Sequence, residues 1–334
     1  MRKSDVVQTI LADRKGLLPL HTTAKAYAPS NIALCKYWGK RDQELNLPVT
    51  SSFSVGLGDK GSTAELSVGK GPHDFVCVNG QEIEWISPFG KRLLEFFDLF
   101  RPKRDLHFNA NIKTNIPIGA GLASSACGYA SMLQALNLLF GWELKDNELS
   151  ILARIGSGSA CRSIWQGFVE WHVGVRPDGM DSFGEPVADA WPELCIGLLI
   201  LSDQEKPVSS RDAMQRTLTT SALYSAWPEK VSRDLSAIKQ AINLRDFLLL
   251  GKTAESNALT MHATMLSAWP PVCYALPQTI TAMQKIWQLR HDGLMIFFTQ
   301  DAGPNLKLIF LEKDIDVVKE HFPQVDVVRP FSTS

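Results

Sequence analysis

Two glycines one residue apart, then a string of small residues leading into an apolar helical period, make up Pro117-Ile118-Gly119-Ala120-Gly121-Leu122-Ala123-Ser124-Ser125. Such glycines let the backbone turn tightly and approach a ligand, and the amide N–H groups and positive end of the next helix can face phosphate oxygens. No Lys-Thr follows, which sets the run apart from a Walker loop, and Ser124 stands where a dinucleotide GxGxxG needs its last glycine. The one GKT, Gly251-Lys252-Thr253, has Asp246 in place of the first P-loop glycine and reads as surface helix. An ordinary strand-to-helix turn accounts for a lone Gly-x-Gly; the unbroken small residues favour an anion cradle.

A second loop, Gly156-Ser157-Gly158-Ser159-Ala160-Cys161-Arg162-Ser163, joins hydroxyl donors to an arginine whose planar fork suits a carboxylate or phosphate. Its bland reading is a solvated helix cap. The third cluster, residues 28–42, sets Lys36, Lys40 and Arg41 among aromatics and Asn31; residues 1–60 hold nine Lys and Arg against five Asp and Glu. A local basic patch serves a multiply charged small molecule, whereas lysines snorkelling from a strand edge serve none. A fourth piece, residues 297–305, is an apolar run ending in Asp301 and a Gly-Pro turn, where an aspartate is ordinarily a turn former.

These pieces need elements to hold them. Short β-favouring stretches cover 23–35, 51–57, 63–68 and 74–78, the last closing on an Asn79-Gly80 hairpin turn. Helical spacing predicts helices over 88–100, 124–140 and 146–154, with strands at 106–113 and 165–173. Residues 183–192 read as a loop where domains meet. Beyond it come a strand at 193–201, helices at 209–227, 230–250, 252–266 and 277–290, and strands at 293–299 and 306–311. Strands and helices mix without strict βαβ alternation, so the fold class is α+β with two sandwiched domains.

Composition bounds the partners. The 334 residues carry 34 Lys and Arg against 35 Asp and Glu, so no global field draws in a nucleic acid, and no apolar run approaches a membrane span. The first twenty residues have charges breaking their apolar positions, unlike a signal peptide, and six scattered cysteines form no CxxC pair; both point to the cytoplasm. Neither the cysteines nor the seven scattered histidines offer a transition-metal site, so any metal arrives with a ligand.

Together the segments resemble the diphosphomevalonate decarboxylase family of the GHMP kinase superfamily. The matching strings are NIALCKYWGKRDQELNLPVTSSFSV, IPIGAGLASSACGYA, RIGSGSACRSIWQGFVEW, SDQEKPVSSRDAM, NALTMHATMLSAWPP and TQDAGPN, in family order from residue 31 to 305. KYWGKRD and GSGSACRS are far more specific than the phosphate loop, which many kinases of the superfamily share. The resemblance implies a GHMP kinase-like two-domain fold: a leader over 1–22, flexible or folded over the core, a ribosomal-protein-type N-terminal domain over 23–191, and a C-terminal α/β sandwich over 192–334. It implies ATP and Mg2+, with 5-diphosphomevalonate converted to isopentenyl diphosphate, and a homodimer; the alternative is a relative acting on mevalonate or its monophosphate.

By the same resemblance, residues 117 and 119–125 hold the ATP phosphates, with Ser125 turned to the metal. Asp301 is the catalytic aspartate, Arg162 binds the substrate carboxylate, Asn31 buttresses that arginine, and Lys36 is the active-site lysine. Tyr37, Lys40, Ser157, Ser159, Ser210 and Arg211 match positions that bind the diphosphate and carboxylate ends. Two departures, Cys35 before Lys36 and the Ala-Arg-Ile before the second loop, read as packing changes.

Overall fold

The computed structural model of the protein describes residues 1–116, 124–187, 190–204 and 206–332. In the first half, helix α1 (Lys3–Leu11) precedes strand β1 (Thr23–Cys35), the hairpin β2 (Lys40–Asp42) and β3 (Leu47–Pro48), and a long β4 (Ser52–Val68). Then come β5 (Phe75–Val78), β6 (Gln81–Glu82), α2 (Pro88–Phe100), β7 (Phe108–Thr114), α3 (Ser124–Phe140), α4 (Asp146–Gly156), β8 (Phe168–Trp171) and β9 (Gly184–Pro186). The stretches read separately at 51–57 and 63–68 are one strand. Gly61, between them, lies so close to β1 that an added Cβ would sit 2.2 Å from the Ala28 carbonyl oxygen.

One edge of β4 pairs with β1 along almost its whole length, from Thr23 opposite Ser67 to Cys35 opposite Phe53. Its other edge is shared, with β7 taking residues 62–68 and β8 taking 52–55. A strand has only two edges, so β4 is the spine on which the sheet is assembled, and the register shift at Pro29 to Asn31 aims the end of β1 into the molecule. Helix α2 starts where the sequence says it should: Ser87 Oγ accepts from the Gly90 N–H and Pro88 fills the first turn.

The leader is folded over the domain. Val6, Val7, Ile10 and Leu11 of α1 are buried with Leu93, Phe97, Phe108 and Leu136, and Arg14 Nη1 donates to the Trp142 carbonyl at 2.9 Å.

The second half contains β10 (Leu194–Leu199), α5 (Ser210–Thr220), α6 (Trp227–Leu244), α7 (Phe247–Leu266), α8 (Pro277–His291), β11 (Phe297–Gln300), β12 (Leu306–Leu311), α9 (Ile315–His321) and β13 (Asp326–Val328). Its sheet runs β11-β12-β10-β13, all antiparallel. The apolar runs at 194–199 and 306–311 are explained by burial on both faces: Ile196, Leu198 and Ile309 face one core, and Cys195, Leu199, Leu308 and Phe310 the other. The expected helix over 209–227 stops at Thr220, and Tyr224 turns in to donate to the Trp38 carbonyl at 2.9 Å. Asp246, the misfit of the GKT reading, caps α7 by accepting from the Leu249 N–H, and Gly251 packs against the Phe297 ring while Lys252 alone of the three is exposed. The GKT is therefore a half-buried helix turn.

Between the halves lies a core common to both. Ile32, Leu34, Phe53, Val55 and Cys127 from the first pack with Ile196, Trp227, Ile238, Phe247, Met261 and Phe297 from the second. Each large side chain buried there contributes roughly 1.5–3 kcal/mol. Among the described residues no helix is long and apolar enough to cross a membrane.

Candidate active site

The end of β1, the loop after β11 and the one-turn 3-10 helix Gly158–Arg162 converge where this shared core reaches the surface. Lys36, one residue past β1, is 1% exposed; its Nζ donates to Asp301 Oδ1 at 2.6 Å and to the Ala33 carbonyl at 2.8 Å. Its backbone is fixed from the other domain, because the Lys36 N–H donates to Asn257 Oδ1 of α7, whose amide in turn donates to Asp234 of α6. Asp301 directly follows β11 and keeps 22% of its side chain exposed, so it is held from behind and open in front.

Lys307, fully buried on β12, lies 3.1 Å from Asp301 Oδ2. Burial would raise the Asp301 carboxyl, but Lys307 and Lys36 overcome it and hold the group well below the usual carboxylate range. Such a carboxylate orients a hydroxyl well and is a poor base. Burial outweighs the pull of Asp301 on Lys36 and brings its ammonium down to about 8.

Arg162 is buried beside them. Its Nη1 donates to Ser52 Oγ at 2.6 Å and its Nε to Asn31 Oδ1 at 3.3 Å, while the Asn31 amide donates to Ser163 Oγ at 2.8 Å. The guanidinium lies 5.9 Å from the Trp171 ring, so its plane is set by neighbours before any ligand arrives. Tyr37 packs against that same tryptophan with ring centroids 4.6 Å apart, and Gly158 passes so close beneath it that an added Cβ would sit 2.8 Å from Tyr37 Cε1. The Tyr37 hydroxyl is buried with no hydrogen-bond partner among the described residues, and a ligand oxygen is the chemistry it lacks.

The other expected residues fall around this centre. Lys40 is buried and donates to Asn46 Oδ1 at 2.6 Å, so it is no snorkelling strand-edge lysine. Ser157 Oγ and Ser125 Oγ are 3.5 Å apart, which places the first turn of α3 against the second glycine-serine loop. Ser159 offers its carbonyl to the Asn31 amide at 3.3 Å; Arg211 stands exposed on α5, and Ser210 accepts from Lys206 Nζ at 2.5 Å. Pro117, Gly119, Ala120, Gly121, Leu122 and Ala123 lie outside the described residues, and of Ser124 only its place at the start of α3 is described. Among the described residues no three His, Cys, Asp or Glu gather to hold a metal.

Sequence reading missed Lys307, Lys206 and His262. Lys307 is the one charge within the apolar strand LKLIFL, a signal that could have marked it. Lys206 bridges Ser210 and the Ala302 carbonyl, and burial, followed by the charge of Lys307, lowers it to about 8. His262 Nε2 donates to the Asp301 carbonyl at 3.1 Å; burial, then Lys36, keeps the ring neutral with a value of about 4. Four buried or half-buried cations, Lys36, Arg162, Lys206 and Lys307, thus surround one carboxylate.

Two family models match this chain: a diphosphomevalonate decarboxylase-like N-terminal domain over residues 28–184 and a mevalonate 5-diphosphate decarboxylase C-terminal domain over 196–332. The chain belongs to the diphosphomevalonate decarboxylase family. Similar relatives include diphosphomevalonate decarboxylase mvd1 of Aspergillus fumigatus, 37% identical over 88% of this chain and 78% of that one, and the Bos taurus enzyme, 36% identical over 89% and 80%. The mevalonate diphosphate decarboxylase of Staphylococcus aureus superposes with TM-score 0.86 at 34% identity over 94% of this chain and 97% of that one. A structure of MDDEF in complex with MVAPP, AMPPCP and magnesium gives TM-score 0.84 at 38% identity over 92% and 96%. The α+β, two-domain architecture is that of this family.

Because Lys36 and Lys206 must both be charged to face an anionic ligand, kcat/KM should fall as pH rises through about 8. Bound substrate phosphates favour the charged forms, so the same limb should lie at higher pH in kcat than in kcat/KM. A pH–rate series at saturating and limiting substrate checks this.

Proposed function

We propose that this chain catalyses the ATP-dependent decarboxylation of 5-diphosphomevalonate to isopentenyl diphosphate, releasing ADP, phosphate and carbon dioxide. The observation that carries it is the pairing of one exposed-faced carboxylate, Asp301, with a pre-oriented Arg162 inside a cluster of buried cations. A kinase that stopped at phosphorylation needs the first of these; elimination also needs a group to aim a carboxylate.

Asp301 accepts a hydrogen bond from the substrate's 3-hydroxyl and orients its oxygen toward the γ-phosphorus of ATP. Held as a weak base, it takes the hydroxyl proton late, as the new O–P bond forms. Lys36, hydrogen-bonded to Asp301 Oδ1, places positive charge where the transferring phosphoryl group spreads its own. Phosphate then leaves the tertiary carbon with the C–O electron pair. The C–CO2 pair moves in to make the double bond and carbon dioxide departs; Arg162 holds the carboxylate so that the breaking bond lines up with the emptying orbital. Mg2+, carried in on the nucleotide, supplies charge neutralisation when bound. The exposed Ser125 hydroxyl at the first turn of α3 is the described side chain suited to hold it.

Purified protein given Mg-ATP and 5-diphosphomevalonate should release ADP and carbon dioxide in equal amounts. ADP without carbon dioxide would mark a kinase, and release of neither would sink the enzyme reading. A homodimer and a cytoplasmic site of action belong to the same proposal; the first rests on family membership and the second on the unpaired, scattered cysteines, and sedimentation of the purified chain tests the first.

A further inference from the structure

Beside the second glycine-serine loop lies a cavity of about 360 Å³ whose wall includes Lys3 and Arg2 from the amino-terminal segment, Arg92 from α2, Tyr129 from α3, Gly156 and Arg211. Arg211 is one of the residues matched to positions that bind the substrate's diphosphate and carboxylate ends, and Gly156 precedes another, Ser157, so this cavity adjoins that set.

We propose that Lys3 reads the diphosphate: with Lys40 and Arg211 it supplies the charge that receives the terminal phosphate, which makes α1 an element of selectivity for diphosphate over monophosphate. This rests on the function proposed above.

Three observations carry it. First, α1 is anchored by Val6, Val7, Ile10 and Leu11 in the core, and the Lys3 N–H donates to Glu44 Oε1 at 3.3 Å, so Lys3 is held at the cavity rather than on a loose tail. Second, the three cations crowd one another: burial, then Arg211, then Lys3, brings Lys40 down to about 8. Like charges so placed favour an anionic guest. Third, among the described residues no carboxylate lies within ion-pair distance of the Lys3 ammonium, although acids share the wall. Asp98 is taken by Arg101 at 2.7 Å, and Glu44 accepts from the Lys3 backbone N–H. A monophosphate ends short of this group and leaves it unused, whereas a second phosphate brings nearly two further negative charges within its reach.

The test is steady-state kinetics of the full chain, with 5-diphosphomevalonate as substrate and 5-phosphomevalonate as competing ligand. Lys3→Ala should raise KM for the diphosphate about tenfold, with kcat and the inhibition constant of the monophosphate within about twofold. Lys3→Glu should raise KM further, and Lys3→Arg should restore it. An unchanged KM in Lys3→Ala, or equal loss for both ligands, overturns the proposal while wild-type release of carbon dioxide leaves the function standing. A wild-type chain that releases none overturns both.

Discussion

Asp301→Asn should lower kcat by about a thousandfold or more while leaving the dissociation constant for Mg-ATP within about threefold. The substitution keeps the shape and removes the charge that both orients the 3-hydroxyl and accepts its proton. It also changes the neighbours. Lys36 and Lys307 sit 2.6 Å and 3.1 Å from the two carboxylate oxygens, both lysines buried, and each loses its ion pair with Asp301 when the carboxylate goes. Removing one partner of a buried ion pair costs about 3–5 kcal/mol when the charge stays, so a lower melting temperature should accompany the lost activity. Retained nucleotide binding separates a chemical defect from a collapsed fold. Normal turnover in this variant would show that another group faces the hydroxyl.

Arg162→Lys should cost about a hundredfold or more in carbon dioxide release, and the loss should exceed that in ADP formation. Charge is conserved, so simple attraction for the carboxylate survives. What goes is the fork: Ser52 Oγ and Asn31 Oδ1 each lose the donor that the guanidinium gives them, and the plane packed toward Trp171 disappears. An ammonium on a flexible stem holds a carboxylate at one point and lets it rotate, which matters to elimination and little to phosphoryl transfer. The ratio of carbon dioxide to ADP is therefore the measurement, and a ratio near one in this variant would remove alignment as the role of Arg162. Asn31→Ala should move the same ratio in the same direction by a smaller amount, because Arg162 then keeps Ser52 and the Trp171 ring.

How far the sequence could be read follows from how local each signal is. Helix α2 announces itself through the cap Ser87, Pro88 and a periodic apolar face, all local to one stretch of chain, and the reading of 88–100 matches the structure residue for residue. Strand β4 does not, because its Gly61 answers to Ala28 on another strand, a contact no local window contains. Asp301 was legible only through resemblance; by itself an aspartate before Gly-Pro is a turn. Lys307 is marked in sequence as a lone charge in an apolar strand and His262 is not marked at all, and the role of each follows only once β12 and α7 bring them against Asp301. The leader, which sequence patterning left open, is settled by four apolar residues whose partners lie some ninety residues away and beyond.

The core common to both halves of the chain bears on how this protein comes apart. Asn31 and Arg162 come from the first half of the chain and Asp301 and Lys307 from the second, and Phe53, Trp227 and Phe297 belong to the core that the two halves share. Two domains joined by a hinge could each melt alone and leave half a site behind. Here neither half can release its apolar residues from that core without exposing the other's, so calorimetry should record a single cooperative transition, and loss of catalysis on heating should track it rather than precede it.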